Sequence, residues 1–532
     1  MATYNLAAIL KNPSNDAEFL LLKQTPPPKF GDPEYDSFVD SDLWDLPSTK
    51  LNLLPGESES PGVVVDGVES VLEKVNLLEF DLGSGISRVL GQVGLKADDV
   101  EGWKFFKLVE EADFGPGSPV NTVYVAGNVV TGEQSLSEQS KWMSTQSCLT
   151  MLVDVKPCSD RVGPLVVTGL INDTEQGTTV QTSLHYQEYP PGVIILPMKS
   201  RTAKPFRTTN LVIFAPSSAT NECDGYSYIA RGDALIVDPG CQTNLHDELF
   251  KVVAALSRKL VVFVTHHHHD HVDGLSVIQK CNPDATLLGH ENTLRRIKKD
   301  DWSLGYTSVS GGEDICIGGQ RLNVVYAPGH TDGHLALLHV NTHSLIVGDH
   351  CVGQGSTLLD ISSGGNMADY FQSTYKFIDL SPHVLIPMHG RLNLWPKNML
   401  CGYLKNRRSR ESAILKAIEN GAKTLIDIVA SVYAGVDTGL WFFASYNVRL
   451  HVEHLAQQNK LPNGFLISKF QKSCGLHFLS RWTWAYLTTG FMSRYKKLST
   501  HKLLIGGAVA SFAIFYTFRD RLKLNKGLQL GG

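Results

Sequence analysis

None of the nine cysteines in this 532-residue chain stands in a CxxC pair: they fall at 148, 158, 223, 241, 281, 316, 351, 401 and 474. An odd, scattered set of this kind excludes a disulfide framework and reads as reduced, mostly buried thiols in a cytosol-like compartment. The opening MATYNLAAILKNPSNDAEFLLL has neither a secretory apolar core nor an Arg-rich transit pattern, so it reads as the first strand of a folded domain. Acidic residues are scarce toward the end. From Arg391 onward there are 21 Lys and Arg against 6 Asp and Glu, a net +15, which leaves the first 390 residues at −20. A basic C-terminal third hints at an anionic partner, nucleic acid or membrane surface, although solvated basic faces explain it as well. With 42% hydrophobic and 19% charged residues the whole is ordinary for a globular protein with a sizeable core, long enough for about two to four domains.

Composition divides the chain into four parts. Residues 1–190 hold short apolar runs separated by Pro, Gly and acidic stretches, which predicts an α+β domain ending near Tyr189 to Gly192. Residues 191–395 alternate apolar strands (NLVIFA, ALIVDPG, LVVFV, RLNVVYA, SLIVGD) with helical patterns such as HDELFKVVAALSRK, the mark of a layered α/β sandwich with its chemistry on the loops. Residues 396–465 read as three short helices with Gly-containing connections. A helix-turn-helix or winged-helix module fits that pattern, and so does a helical dimerisation or core-capping element. Residues 466–532 form a basic tail around the uncharged segment 503–518, LLIGGAVASFAIFYTF. As a helix this segment would be about 24 Å long, short for a bilayer core of about 30 Å but workable with snorkelling Lys and Arg flanks. The expectation is a C-terminal tail anchor that leaves the protein facing the cytosol on an organelle membrane; a buried core helix or surface-bound segment is the alternative.

The stretch VVFVTHHHHDHVDG, Val261 to Gly274, carries the chemistry. Successive side chains of an extended segment point to opposite faces, so His266 and His268 can converge on one ion while His267 points away. Asp270 and His271 can turn back as the chain leaves the strand and supply an oxygen and a nitrogen to a second ion. An internal run after VVFV is not tag-like. Downstream, His330 in VVYAPGHTDGH, Asp349 in SLIVGDHCVGQGS and His389 in VLIPMHGR each follow an apolar strand and a tight turn. Imidazole and carboxylate at such spacings are zinc ligands, and a hydrolytic site keeps a position open for water.

Thr265 to His271, Gly329-His330, Gly348-Asp349 and His389-Gly390 together resemble the metallo-β-lactamase-fold hydrolases, over about Thr208 to Arg391. The resemblance implies an αββα four-layer sandwich. It implies two Zn2+ per chain, one held by His266, His268 and His330, the other by Asp270, His271 and His389, with Asp349 bridging. Such a pair shares a water whose pKa falls to about 7, making hydroxide available as nucleophile, and Asp270 also orients it. His267, His269, His334 and His350 are left to supporting roles, and Asp238 of ALIVDPG matches the family's structural aspartate.

The segment after His389 resembles the winged-helix extension of the β-lactamase-like-2 group, whose animal members are zinc-dependent endoribonucleases acting on single-stranded RNA. Asn406 departs from that group, which has a histidine there. Arg407, Arg408 and Arg410 are expected to neutralise substrate phosphates. The alternatives are hydrolysis of an ester or thioester of the glyoxalase II kind and a non-catalytic membrane-anchored scaffold. Residues 1 to about 110 resemble a Nudix domain, but at Ser87 to Leu95 the positions for its magnesium-binding glutamates hold Arg88, Gly91 and Gln92, so a catalytically silent domain is expected.

Overall fold

The computed structural model describes residues 2–54, 65–67, 77–130, 136–153, 155–172, 180–216, 227–257 and 259–494, and the segment 503–518 lies outside them. The chain forms two compact units, Met1–Arg407 and Arg408–Gly532.

In the first unit the continuous apolar runs become strands buried on both faces. Val193–Lys199, Thr208–Phe214, Ala234–Val237 and Leu260–Phe263 are neighbours in a sheet of seven described strands. Alternation along these strands sorts their side chains between two cores. Val193, Ile195, Val212, Phe214, Leu235, Val237, Val261 and Phe263 join one cluster, while Ile194, Leu196, Leu211, Ile213, Ile236 and Val262 join another. A strand with period 2 needs apolar residues at every position only when neither face is wet. The second cluster is completed by Leu249 and Val252 of the helix His246–Ala255 and by Leu275 and Ile278 of Leu275–Cys281. The first is shared with a sheet of six described strands, which contributes Ile315, Leu322, Val324, Leu335, Leu337 and Ile346. The helix Met367–Leu380 buries Tyr370, Phe371, Phe377 and Ile378. This is the expected layered α/β arrangement of the central region.

No break in packing occurs near residue 190. Ala7, Ile9, Leu21, Trp44 and Tyr124 of the N-terminal sheet share the core cluster of Val193 and Ile195. That sheet, of eight described strands, is built on Thr3–Asn12, which runs antiparallel to Asn15–Lys23 and parallel to Val120–Val129. Its other face is covered by the helix Leu82–Val93 through Ile86, Val89, Leu90 and Val93. Two exposed side chains of this helix, Arg88 and Gln92, donate to the carbonyls of Lys50 and Ser48. Seven described cysteines are free thiols, but Cys316 is in a disulfide, contrary to the expectation of thiols throughout.

The second unit packs the helices Leu425–Val432, Trp441–Gln457, Ile467–Lys472 and Leu476–Arg494 around Ile428, Val448, Val452, Leu455, Phe470 and Phe478. Thr424 and Asp427 form a capping box that fixes the start of the first of these. Among the described residues no helix is long and apolar enough to cross a membrane.

Candidate metal centre

Two chain reversals at the ends of adjacent strands build the site. After Ala234–Val237 the backbone turns at Asp238 with φ 50°. After Leu260–Phe263 it bends at Thr265, reaches His268 in an extended conformation and then coils into the short helix His269–Val272. The two reversals touch backbone to backbone: a Cβ on Gly240 would lie 1.6 Å from the Asp270 carbonyl oxygen, and one on Gly274 would lie 2.0 Å from that of Pro239. Glycine at both places is what allows Asp238 to sit beneath His271.

Each histidine is pinned through one ring nitrogen and presents the other to a common centre. His271 Nδ1 donates to Asp238 Oδ2 at 2.8 Å. His330 Nδ1 donates to the Leu358 carbonyl at 2.7 Å, and His389 Nδ1 to that of Thr208 at 2.9 Å. His268 is held the other way round, with Nε2 donating to Asp360 Oδ2 at 3.1 Å. Thr265 gives its hydroxyl proton to Asp238 Oδ2 at 2.6 Å and so accepts from His266 Nδ1 at 3.0 Å. With the outward nitrogens committed as donors, His268 Nδ1 faces His266 Nε2 at 3.0 Å and His330 Nε2 at 3.3 Å, lone pair against lone pair. Such a convergence is repulsive without a cation among the three nitrogens.

Asp349 completes both halves. With His266, His268 and His330 it forms one group whose ligand atoms all lie within 4.8 Å of one another, and Asp270, His271 and His389 form a second. Its Oδ2 is 3.9 Å from His330 Nε2, while its Oδ1 is 3.6 Å from His271 Nε2 and 3.3 Å from His389 Nε2. Asp270 Oδ2 approaches His389 Nε2 to 3.3 Å. Asp349 Oδ1 and His271 Nε2 are buried and make no hydrogen bond. A buried carboxylate oxygen left without a hydrogen bond, with the facing lone pairs of His266, His268 and His330, fits divalent cations. The structure thus brings together all seven residues singled out as ligands and places Asp349 between the two groups.

Electrostatics divide the centre. Burial, reinforced by neighbouring imidazoles, holds His266 well below the ordinary histidine pKa and pushes His330 down to about 4, so both are neutral and ready to ligate. Burial also opposes charge on His271 and His389, but the carboxylates of Asp349 and Asp270, with Asp238 at His271, outweigh it: His271 stands well above its usual value and His389 is raised to about 9. In the apo protein these two therefore carry protons that metal must displace. A folded-state pKa above the unfolded value of about 6.5 contributes stability below about pH 6.5 that is lost as pH rises through 9. The melting temperature of the chelated protein is expected to fall between those pH values, while the metal-loaded protein shows no matching fall. A flat apo profile over that window, measured by differential scanning fluorimetry, would contradict this.

The remaining histidines are supports. His334 Nε2 accepts from the Asp349 backbone N–H at 3.1 Å, His350 stacks on Tyr370 at 4.2 Å, and His267 Nε2 lies 3.1 Å from Ser363 Oγ. His269 is mostly exposed, 3.4 Å from Asp273. Arg407 departs from its expected role at a substrate phosphate. It is 4% exposed, donates to the Thr357 carbonyl at 2.7 Å and lies over Tyr370 at 4.9 Å, because it shares the inward face of its helix with Tyr403 and Leu404. Thr357 in turn donates its hydroxyl to the Asp349 carbonyl, so Arg407 braces the loop that carries Asp349. Arg408 and Arg410 belong to the second unit, where Arg408 is 4.0 Å from Glu411 and Arg410 lies 4.3 Å over Tyr433. Sequence reasoning missed Asp360, whose setting in LLDISS is that of any helix cap, and it missed Thr202 and Phe206, which border His389 at 3.4 Å and 5.7 Å. The signal for the latter pair was the basic turn SRTAKPFR between two apolar strands.

Comparison with known proteins gives a family match to the metallo-beta-lactamase superfamily over residues 220–389 and to the beta-lactamase associated winged helix domain over 424–461. The chain is similar to the Beta-lactamase-like protein 2 homolog of Drosophila melanogaster, 27% identical over 208 residues, which is 38% of this chain and 69% of that protein. The homolog from Caenorhabditis elegans is also 27% identical, over 38% of this chain and 66% of its own length. A Hydroxyacylglutathione hydrolase from Photobacterium profundum is 30% identical over 30% of this chain and 58% of its own length. Among solved structures, a beta-lactamase domain protein from Burkholderia ambifaria aligns with 19% identity and a TM-score of 0.43, covering 52% of this chain and 88% of that one. The chain therefore carries a domain of the metallo-beta-lactamase superfamily of metal-dependent hydrolases, followed by a beta-lactamase-associated winged helix.

Proposed function

We propose that the protein is a zinc-dependent endoribonuclease acting on single-stranded RNA. The observation that carries this is the placement of Asp349 between two ligand groups, His266/His268/His330 and Asp270/His271/His389, which would hold a pair of ions suited to an in-line phosphodiester displacement. When bound, such ions polarise the phosphoryl oxygen and make water acidic enough to supply a nucleophile near neutral pH. The chain's own part is to hold the geometry. Asp238, Asp360 and the Leu358 and Thr208 carbonyls fix the imidazole planes, and Asp270 offers a carboxylate that accepts the proton of the attacking water. The similarity to beta-lactamase-like protein 2 homologs and the basic C-terminal third support RNA as substrate.

A second reading, hydrolysis of a thioester, is favoured by the similarity to hydroxyacylglutathione hydrolases. Full-length protein loaded with zinc is expected to cut a labelled single-stranded oligoribonucleotide at internal positions and to leave an S-acyl glutathione intact. Intact RNA together with rapid thioester turnover in the same preparation would select the second reading instead.

A further inference from the structure

The turn that joins the strands Val193–Lys199 and Thr208–Phe214 is tied to the metal centre at its root and along its length. Lys199 and Thr208 form the last pair of the ladder, and the Ser200 N–H closes the turn onto the Arg207 carbonyl at 3.0 Å. The Thr208 carbonyl holds His389 Nδ1, Thr202 Oγ1 lies 3.4 Å from His389 Nε2, and the Phe206 ring packs 5.7 Å from the same imidazole. Phe206 is buried against the centre and Thr202 is half-buried beside it, while Arg201, Ala203, Lys204 and Pro205 are exposed. Of the eight residues Ser200 to Arg207, three are cationic and none acidic, within a 390-residue stretch whose net charge is −20.

All three cations are exposed, and they are held differently. Arg201 Nε contacts Asp273 at 2.7 Å and Arg207 contacts Asp113 at 3.1 Å, with 63% and 60% of the two side chains still open to solvent. The Arg207 pair is exposed on both sides and worth little, so its guanidinium can exchange the carboxylate for another anion at small cost, whereas Arg201 covers a carboxylate whose own side chain is 8% exposed and is held more firmly. Lys204, at the tip, makes no hydrogen bond or ion pair among the described residues. An isolated ammonium on a short turn beside a hydrolytic centre is placed to meet a substrate's charge.

We propose that this turn is the phosphate-binding lip of the metal centre, with Lys204 contacting the backbone phosphate next to the scissile one and Arg201 and Arg207 flanking it. The inference rests on the phosphodiester reading above and names the residues that would make a polyanion the preferred substrate. It assigns the task to the turn rather than to Arg407, whose guanidinium is spent inside the fold. Recognition of this kind is independent of base sequence, because each contact is to a phosphate.

The test uses full-length, zinc-loaded protein and a fluorescent 2′-O-methyl oligoribonucleotide, recovered intact after each titration, with Kd measured by anisotropy over a range of salt concentrations. Lys204→Gln is expected to weaken binding about five- to tenfold and to make the slope of log Kd against log salt shallower by about 0.7, the value for one phosphate contact on a single strand. Lys259→Gln, at the opposite end of the strand that leads to the histidines, is expected to match wild type. The proposal is overturned if Lys204→Gln binds as wild type does, if Lys259→Gln loses as much, or if wild type binds no RNA. Turnover is scored separately: binding that depends on Lys204 without RNA cleavage by wild type would keep the lip and reject the ribonuclease.

Discussion

Asp270→Ala is expected to lower kcat/KM by about a thousandfold or more, roughly 4 kcal/mol of transition-state stabilisation, and to leave the protein folded. Among the described residues its side chain is the one carboxylate that belongs to the second ligand group alone, with Oδ2 3.3 Å from His389 Nε2 and Oδ1 3.8 Å from His271 Nε2. Alanine leaves two imidazoles and a shared Asp349 to hold an ion, and it removes the acceptor for the proton of an attacking water. The fold survives because what packs against the neighbouring turn is the Asp270 backbone carbonyl, in contact with Gly240, and not the carboxylate. Metal analysis of the purified variant is expected to find one ion retained of two, since His266, His268, His330 and Asp349 are untouched. Turnover within tenfold of wild type would remove Asp270 from the chemistry, and loss of both ions would point to collapse of the whole centre.

Much of this centre could be read from residue order, for a physical reason. The histidines follow directly on a strand that ends at Phe263, so a period of 2 sorts His266 and His268 from His267 without knowledge of anything distant, even though the chain bends at Thr265. Asp270 and His271 reverse direction because a helical turn begins at His269. His330, Asp349 and His389 each end an apolar strand at a glycine-bearing turn, and layered sheets put such ends on one edge. Where signals were not local the reading went astray. Arg407, Arg408 and Arg410 are indistinguishable as charges in a sequence, yet about 100° of rotation per residue sends each to a different side, and Arg407 falls in line with Tyr403 and Leu404 on the buried side. Asp360 reaches His268 across 92 residues, a separation that no local pattern signals. The change in composition near residue 190 predicts a boundary there, whereas one core cluster runs through it: Trp44 and Tyr124 belong with Val193 and Ile195.

The residue whose loss should cost most in stability touches no substrate. Asp238 is fully buried and accepts three hydrogen bonds, from the Thr265 N–H at 2.7 Å, the Thr265 hydroxyl at 2.6 Å and His271 Nδ1 at 2.8 Å. Asp238→Ala leaves all three donors without an acceptor and puts a Cβ-bearing residue without a polar side chain at φ 50°, so a loss of about 3 to 5 kcal/mol is expected, with weakened metal binding. Asp238→Asn separates the two effects. Asparagine tolerates the left-handed backbone and can still accept from the Thr265 N–H, but its amide then donates toward His271 Nδ1. That nitrogen can accept only by moving its proton to Nε2, the atom turned to the metal, which blocks the ligand. The asparagine variant is therefore expected to melt much closer to wild type than the alanine variant while its affinity for the second ion falls about 10- to 100-fold. Thermal melts and a competitive zinc titration on the two variants read these quantities independently. If Asp238→Asn holds two ions as tightly as wild type, Asp238 is a structural tie only and the tautomer of His271 is set by something else.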